Sequence, residues 1–190
     1  MERWDVYDRE GRLTGRTRGR EDPFGPGEYH LGVALWVVNG AGEYLVQRRA
    51  ATKRIHPGKW GITGGAAQAG ETSRQACVRE VWEELDLDVR EDELIPLART
   101  AEADNLFDDY VLQRDFSLET ARLQPDEVSE VRWATLAQIL AWLDQDQFMW
   151  SNRTLLVEMD AHIRAALGLG EPVSHDEAGR EGQHGTLGCV

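Results

Sequence analysis

The sequence predicts an α+β chain in which a mixed sheet lies between helices, and three observations carry that expectation. Residues 29–38 (YHLGVALWVV) form a dense β-branched and aromatic run that stops at Asn39-Gly40-Ala41-Gly42 and resumes at Tyr44-Leu45-Val46, the pattern of strand, tight turn and strand. Over residues 71–85 the period changes. Cys77, Val81 and Leu85 recur every four residues with Val78 and Trp82 beside them, as on the buried stripe of a helix. Strands and helices then alternate without a strict βαβ rhythm, which favours a mixed sheet.

The remaining elements follow in order. Trp4-Asp5-Val6-Tyr7-Asp8 ahead of Gly11 reads as a strand-turn-strand opening, and 21–27 (EDPFGPG) as a loop. Residues 60–63 make a short extended piece after Pro57-Gly58, closed by Gly64-Gly65. Extended runs are expected around 97–101, 107–116 and 128–133, and helices near 136–143 and 151–167. Beyond Leu167 the chain is rich in Gly and polar residues without periodicity. The reading is therefore an N-terminal strand-like extension of the same fold over 1–28, a main domain over 29–168 and a flexible Gly-rich tail over 169–190.

Composition narrows the function. In 190 residues there are 34 acidic against 21 basic side chains, a formal charge of −13, which argues against a protein that grips a nucleic-acid polymer through clustered Lys and Arg. Hydrophobic residues at 41% suffice for a real core and exclude wholesale disorder. Cys77 and Cys189 do not make a disulfide framework, the N-terminus has no apolar signal region, and no apolar run approaches the ~20 residues of a membrane helix. A cytoplasmic protein without a membrane partner is expected. An acidic enzyme can still act on an anionic small molecule when metal ions mediate the contact.

The informative segment is 64–87, GGAAQAGETSRQACVREVWEELDL. At 100° per residue, Glu80, Glu83 and Glu84 fall within about 100° of arc, and the Cys77/Val81/Leu85 stripe is expected to hold that face outward. A Glu-rich helix face is commonly just solvated surface. Three crowded carboxylates nevertheless repel one another unless a cation sits among them, and oxygen-only ligands suit Mg²⁺ or Mn²⁺.

The surrounding order is more specific: Gly65, five residues, Glu71, seven residues, Arg79-Glu80, an aliphatic, any residue, then Glu83-Glu84. This resembles the Nudix box, with Asp86 where the pattern closes on glycine, a position whose left-handed backbone Asp also adopts, though less readily. The resemblance implies a Nudix-like α/β/α sandwich and metal-dependent hydrolysis of a diphosphate linkage in a nucleoside di- or triphosphate or a related derivative. Glu80, Glu83, Glu84 and the carbonyl of Gly64 would then hold the ions, with Arg79 and Glu71 paired to orient the helix. Family members generally use a further carboxylate, often a few residues before a Trp closing a late strand. Glu127, six residues ahead of Trp133, is the first choice and Glu130 the second, with Glu84 as the other candidate base.

The likeness extends from about Trp4 to Leu167 and is nearest to the branch that includes isopentenyl-diphosphate isomerases. Where those enzymes carry a catalytic cysteine followed closely by a histidine, this chain has Gly64 and Ala66, and the helical phase of Cys77 puts its thiol on the apolar stripe. His30 resembles an isomerase metal ligand, but a lone histidine entering a strand is more often structural. Arg48, Lys53, His56 and Trp60 are the candidate substrate contacts, in and beside the one clear basic stretch of an acidic chain. Isomerase chemistry and a non-catalytic nucleotide sensor remain the alternatives. An exposed strand edge or the N-terminal segment can support a homodimer.

Overall fold

The computed structural model describes residues 2–150 and 152–170. Strands β1 (Arg3–Tyr7) and β2 (Leu13–Gly19) pair antiparallel into a hairpin. Tyr7 and Tyr29 exchange backbone hydrogen bonds at 2.8 and 2.9 Å, which fastens that hairpin to the main sheet. The sheet is built from β3 (His30–Val38), β4 (Tyr44–Arg49), β5 (Trp60–Gly61), β6 (Thr63–Ala66), β7 (Ile95–Glu102), β8 (Asn105–Gln113) and β9 (Val128–Ala134). Its order is β5-β4-β3-β8-β7, with β6 also on β3 and β9 also on β4, and β3 with β8 is the parallel pair in an otherwise antiparallel sheet of described residues.

The turn after β3 is closed by Asn39, whose Oδ1 accepts from the backbone N–H groups of Ala41 and Glu43 at 3.0 and 2.8 Å. After the single pair Val38↔Tyr44 the two strands diverge. β6 fills the gap, running antiparallel along Gly32, Val33, Ala34 and Leu35.

Helix α1 (Ser73–Leu85) covers one face of the sheet, while α2 (Leu136–Asp144) and α3 (Arg153–Leu167) cover the other. The period of two in β3 divides the core accordingly: Leu31, Val33, Leu35 and Val37 pack with Cys77, Val81 and Leu85, whereas Ala34, Trp36 and Val38 pack with Ile139, Leu156 and Ile163. Cover on both faces explains why β3 is a continuous apolar run instead of an alternating one. Each fully buried Val, Leu or Ile contributes about 1.5–3 kcal/mol relative to exposure.

Several boundaries shift for identifiable reasons. Helix α1 begins at Ser73 because Thr72 is its N-cap, accepting from the Gln75 N–H at 3.2 Å while the Gln75 side chain accepts from the Thr72 N–H at 3.0 Å. Helix α3 is capped by Asn152; Ser151, the expected start, and the tail from residue 171 lie outside the described residues. β8 stops at Gln113, and Phe116 instead turns its ring edge-on to Trp133, 5.4 Å between centroids. Asp86 takes the left-handed exit in place of glycine, with φ 55° and ψ 34°, and its N–H reaches the Trp82 carbonyl at 2.9 Å. Among the described residues no helix is long and apolar enough to cross a membrane.

Candidate active site

The acidic helix meets the sheet at Gly64 and Gly65. These residues pair with Ala34 and Val33, so β6 lies against β3 at a point where neither carries a side chain. A Cβ on Gly64 would strike the Val33 carbonyl oxygen, and one on Gly65 would strike the Glu80 carboxyl, both closer than the 3.0 Å that real Cβ atoms keep. The glycine pair therefore lets the backbone approach the helix acids directly.

Arg79 organises the cluster. Its Nε and Nη2 donate to the two oxygens of Glu71 at 2.8 and 3.0 Å, Nη2 also reaches the Ala66 carbonyl at 2.9 Å, and Nη1 donates to Glu80 at 2.8 Å and Glu83 at 3.2 Å. The planar fork holds three acids and one strand carbonyl at once, which a lysine could not do. Glu71 in turn accepts from the Gln68 N–H at 2.8 Å. Burial opposes charge on Glu71, but the bonds from Arg79 and Gln68 outweigh it, so its carboxyl sits below the usual range. Glu80 goes the other way: burial raises it, Arg79 pulls it back, and the charges of Glu83 and Glu2 add to the rise.

Glu84 corrects the expectation that all three acids face outward. It is 3% exposed, and its neighbour in space is Gln47 of β4, whose Nε2 donates to it at 2.8 Å. Helical phase explains this, since seven residues separate it from Cys77 and the two point only about 20° apart. Burial pushes the Glu84 carboxyl up to about 8; the Gln47 bond and Arg49 oppose the rise, and the charges of Glu80 and Glu127 reinforce it. The other amide atom of Gln47, Oε1, is buried with no partner.

The structure separates the remaining candidates. Lys53 and Glu127 lie on this side, joined by an ion pair at 2.6 Å. Glu130 does not: it pairs with Arg132 and, at 3.8 Å, with Arg48. Arg48 and Trp60 are also on the opposite face of the sheet from Glu84. Arg48 and Arg132 sit over the Trp60 ring at 5.9 and 4.3 Å, while Trp60, only 5% exposed, stacks on Trp142 at 5.0 Å. His56 is an exposed loop residue with φ 51° and is not brought to the acids. The basic residue of β4 on the acidic face is Arg49, which belongs to the basic stretch of the sequence but is not among the candidate contacts; Gln47 is a contact that sequence reasoning does not single out. Strand alternation from Leu45 was the signal that could have found both. His30 stacks on Trp4 at 4.4 Å between centroids, away from the acids' hydrogen bonds, and its Nδ1 is buried without a partner. Cys77 is 1% exposed, with burial, chiefly, pushing its thiol up to about 12; it is no nucleophile.

The donor set fits a hard divalent ion: carboxylates, a backbone carbonyl beside a glycine cradle, and a buried acid whose neighbours are acids. Arg79 now occupies one side of the cluster, and among the described residues no three acidic, Cys or His side chains are drawn together into a finished metal cage. The β1–β2 hairpin braces the loop leading into α1, because the Ala69 N–H donates to the Arg3 carbonyl at 2.8 Å and the Gly70 N–H to Asp5 at 2.7 Å.

Comparison with known proteins agrees with this geometry. The family model described as NUDIX domain matches residues 28–154. An uncharacterized Nudix hydrolase of Listeria monocytogenes is 34% identical over 156 residues, covering 78% of this chain and 89% of its own. An isopentenyl-diphosphate Delta-isomerase of Escherichia coli is 30% identical over 144 residues, covering 73% and 79%. A crystal structure from Deinococcus radiodurans superposes with a TM-score of 0.69 at 24% identity over 86% of this chain and 100% of the other. By motif, matched span and relatives alike, the chain belongs to the Nudix superfamily, whose hydrolases cleave pyrophosphate-containing small molecules.

Proposed function

We propose that the chain is a metal-dependent diphosphohydrolase acting on a nucleoside di- or triphosphate or a related nucleoside diphosphate derivative. The observation that carries this reading is the intact chain of contacts from Glu71 through Arg79 to Glu80 and Glu83, with Glu84 buried beside it and Gly64-Gly65 stripped of side chains opposite. Glu80, Glu83, Glu84 and the Gly64 carbonyl would hold Mg²⁺ or Mn²⁺. A bound ion would supply charge neutralisation for the diphosphate and a water of lowered pKa. The chain's own residues do the rest. Glu127, held by Lys53 and within the electrostatic reach of Glu84, is the carboxylate placed to accept the proton of the attacking water, with Glu84 the alternative. Lys53 and Arg49 offer the positive charge for phosphate oxygens on this face. Arg79 and Glu71 fix the helix acids and are positioning residues.

The isomerase relatives argue for shared ancestry more than shared chemistry. Gly64 and Ala66 stand where the cysteine and histidine of isomerases are expected, and Cys77 is sealed in the core. A panel of nucleoside diphosphates, nucleoside triphosphates, nucleotide sugars and isopentenyl diphosphate, incubated with the full chain and Mg²⁺, tests the reading. Release of phosphate or pyrophosphate that stops with a chelator is expected. Isomerisation of isopentenyl diphosphate without phosphate release, or tight binding of one nucleotide with no turnover, would overturn it.

A further inference from the structure

The acids around the helix are not all held in the same way. Glu71, Glu80 and Glu83 share the Arg79 guanidinium, and Glu127 is paired with Lys53, so each has a cation against it. Glu84 is held by an amide instead. The Nε2 of Gln47 donates to its Oε2 at 2.8 Å, and among the described residues no hydrogen bond reaches its Oε1.

Gln47 sits where its amide has little freedom. In register it is paired with Gly61 of β5 on one side and Val131 of β9 on the other, so its backbone is fixed from both edges, and it is 3% exposed. One orientation of the amide is open, because turning it over would set a carbonyl oxygen against a carboxylate. In the orientation kept, Oε1 is buried with no partner, and neither Gly61 nor Val131 has a side chain that can donate to it. An unpartnered buried acceptor costs about 1–3 kcal/mol. An apolar pair at positions 47 and 84 would avoid that loss and the burial of a carboxyl as well, so stability gives no reason for either residue.

What the amide supplies is a donor without a charge. A glutamate side chain is long and freely rotating, and here Glu80 and Glu127 repel its carboxylate, so something must fix it. A lysine or arginine would fix it too, but would cancel the charge that draws an ion and contend with the ion for the same oxygens. Nε2 holds one oxygen and leaves the other free.

We propose that Gln47 is a positioning residue of the ion site: its neutral amide fixes the Glu84 carboxylate and leaves the negative charge and the second oxygen to a divalent cation. The proposal rests on the reading of Glu84 as a metal ligand and deepens it, adding a strand residue from outside the acidic helix. Removing a partner that orients a ligand typically costs about 10–100-fold in metal affinity.

The test uses the full chain without substrate. The Kd for Mg²⁺ is taken from the thermal midpoint against Mg²⁺ concentration, and that for Mn²⁺ from loss of the sharp electron paramagnetic resonance signal of the free ion. Wild type is set beside Gln47→Met and Gln47→Lys, with Glu80→Gln as the control for the site. Gln47→Met keeps the length and removes the donor, and both Kd values should rise about 10–100-fold. Gln47→Lys keeps a donor and adds a charge; its midpoint without metal should equal or exceed that of wild type while both Kd values rise about tenfold or more. This pattern separates positioning from a merely structural role, in which lysine, holding Glu84 by an ion pair, would rescue whatever methionine lost. Wild-type Kd values in either Gln47 variant overturn the proposal, as does a wild type that binds neither ion. If Gln47→Lys melts below wild type, Gln47→Met alone decides. The two readings fail separately: affinity lost in Glu80→Gln but kept in both Gln47 variants leaves the ion site standing and removes Gln47 from it. A wild type that binds the ions and hydrolyses nothing ends the hydrolase reading, and the Kd comparison still decides Gln47.

Discussion

Gly65→Ala is the sharpest perturbation of the site because it changes no charge and no hydrogen-bonding group. The added methyl would lie closer than 3.0 Å to all three terminal atoms of the Glu80 carboxyl, so Glu80 has to retreat by roughly 1 Å or more to regain ordinary contact. That end of a side chain is flexible, and the fold should yield at a cost below ~1 kcal/mol. A displacement of ~1 Å at a reacting centre costs about 100-fold in rate, equivalent to about 2.7 kcal/mol of transition-state stabilisation. Gly64→Ala provides the contrast. Its methyl meets the Val33 carbonyl oxygen, with the Ala34 Cα at 3.1 Å, and neither backbone atom can step aside without prising β6 from β3. Overpacking of that kind costs ~1–3 kcal/mol, several degrees of thermal midpoint in a domain of this size. The assay is kcat/KM against Mg²⁺ concentration together with a thermal melt for each variant. Gly65→Ala should lose activity and keep its melt; Gly64→Ala should lower its melt. In a Glu80→Gln background the Gly65→Ala change should cost almost nothing more, because the group it displaces is already disabled. Full activity and unaltered Mg²⁺ dependence in Gly65→Ala would show that Glu80 is not where the reasoning puts it.

Two further changes probe charge. Glu84→Gln keeps the shape of a residue that is 3% exposed and removes its charge, so activity should fall by ~100-fold or more while the thermal midpoint holds or rises; a clear drop in the melt would mean that Glu84 is structural. In the loop between β2 and β3, Glu28 accepts from the Gly25 N–H at 2.8 Å and from Arg18 and Arg16 of β2, and the Gly25 bond, then Arg18, bring it down from 4.5 to about 2 against some desolvation. Because the folded pKa is the lower one, the stabilisation is present above about pH 4.5 and is lost as pH falls from there towards 2. Glu28→Gln should therefore flatten the acid side of a melt-against-pH profile, and an unchanged slope below pH 4.5 would refute the assignment.

The sequence displayed the acids and their helix but not the faces of the strands that meet them. A period of four and a matched spacing located Glu71, Arg79, Glu80 and Glu83, since those relations lie within one helix and its entry loop. The burial of Glu84 was also present in helical phase, 20° from Cys77, and the outward reading failed by treating the apolar stripe as narrower than it is. Arg48 and Arg49 are adjacent and both basic, so charge does not separate them; the alternation that starts at Leu45 does, and the bulge in the β4–β9 pairing between Arg48 and Arg49 falls where that count ends. The parallel pairing of β3 with β8 is a contact between residues some seventy positions apart that no local pattern encodes.

The placement of cations gives the strongest reason to expect a metal here. Arg79 engages Glu71, Glu80 and Glu83, and Lys53 is taken by Glu127, so Glu84 is hydrogen-bonded only by a neutral amide among the described residues, with Arg49 opposing the effect of its burial at longer range. Part of the formal charge of −13 is thus concentrated where no cation among the described residues is hydrogen-bonded to Glu84. A cation from solution removes that repulsion in the folded state and has no equivalent site in the unfolded chain, so binding must stabilise the fold by mass action. At a Mg²⁺ concentration 100 times the Kd the gain is about 2.7 kcal/mol, a rise of roughly 5–10 °C in the melt, readable without any substrate. Glu80→Gln and Glu84→Gln should each shrink that rise by more than half, while Glu130→Gln, across the sheet, should leave it intact. An equal rise in all three would mean that Mg²⁺ acts elsewhere, and the acidic helix would then be a structural feature held by Arg79.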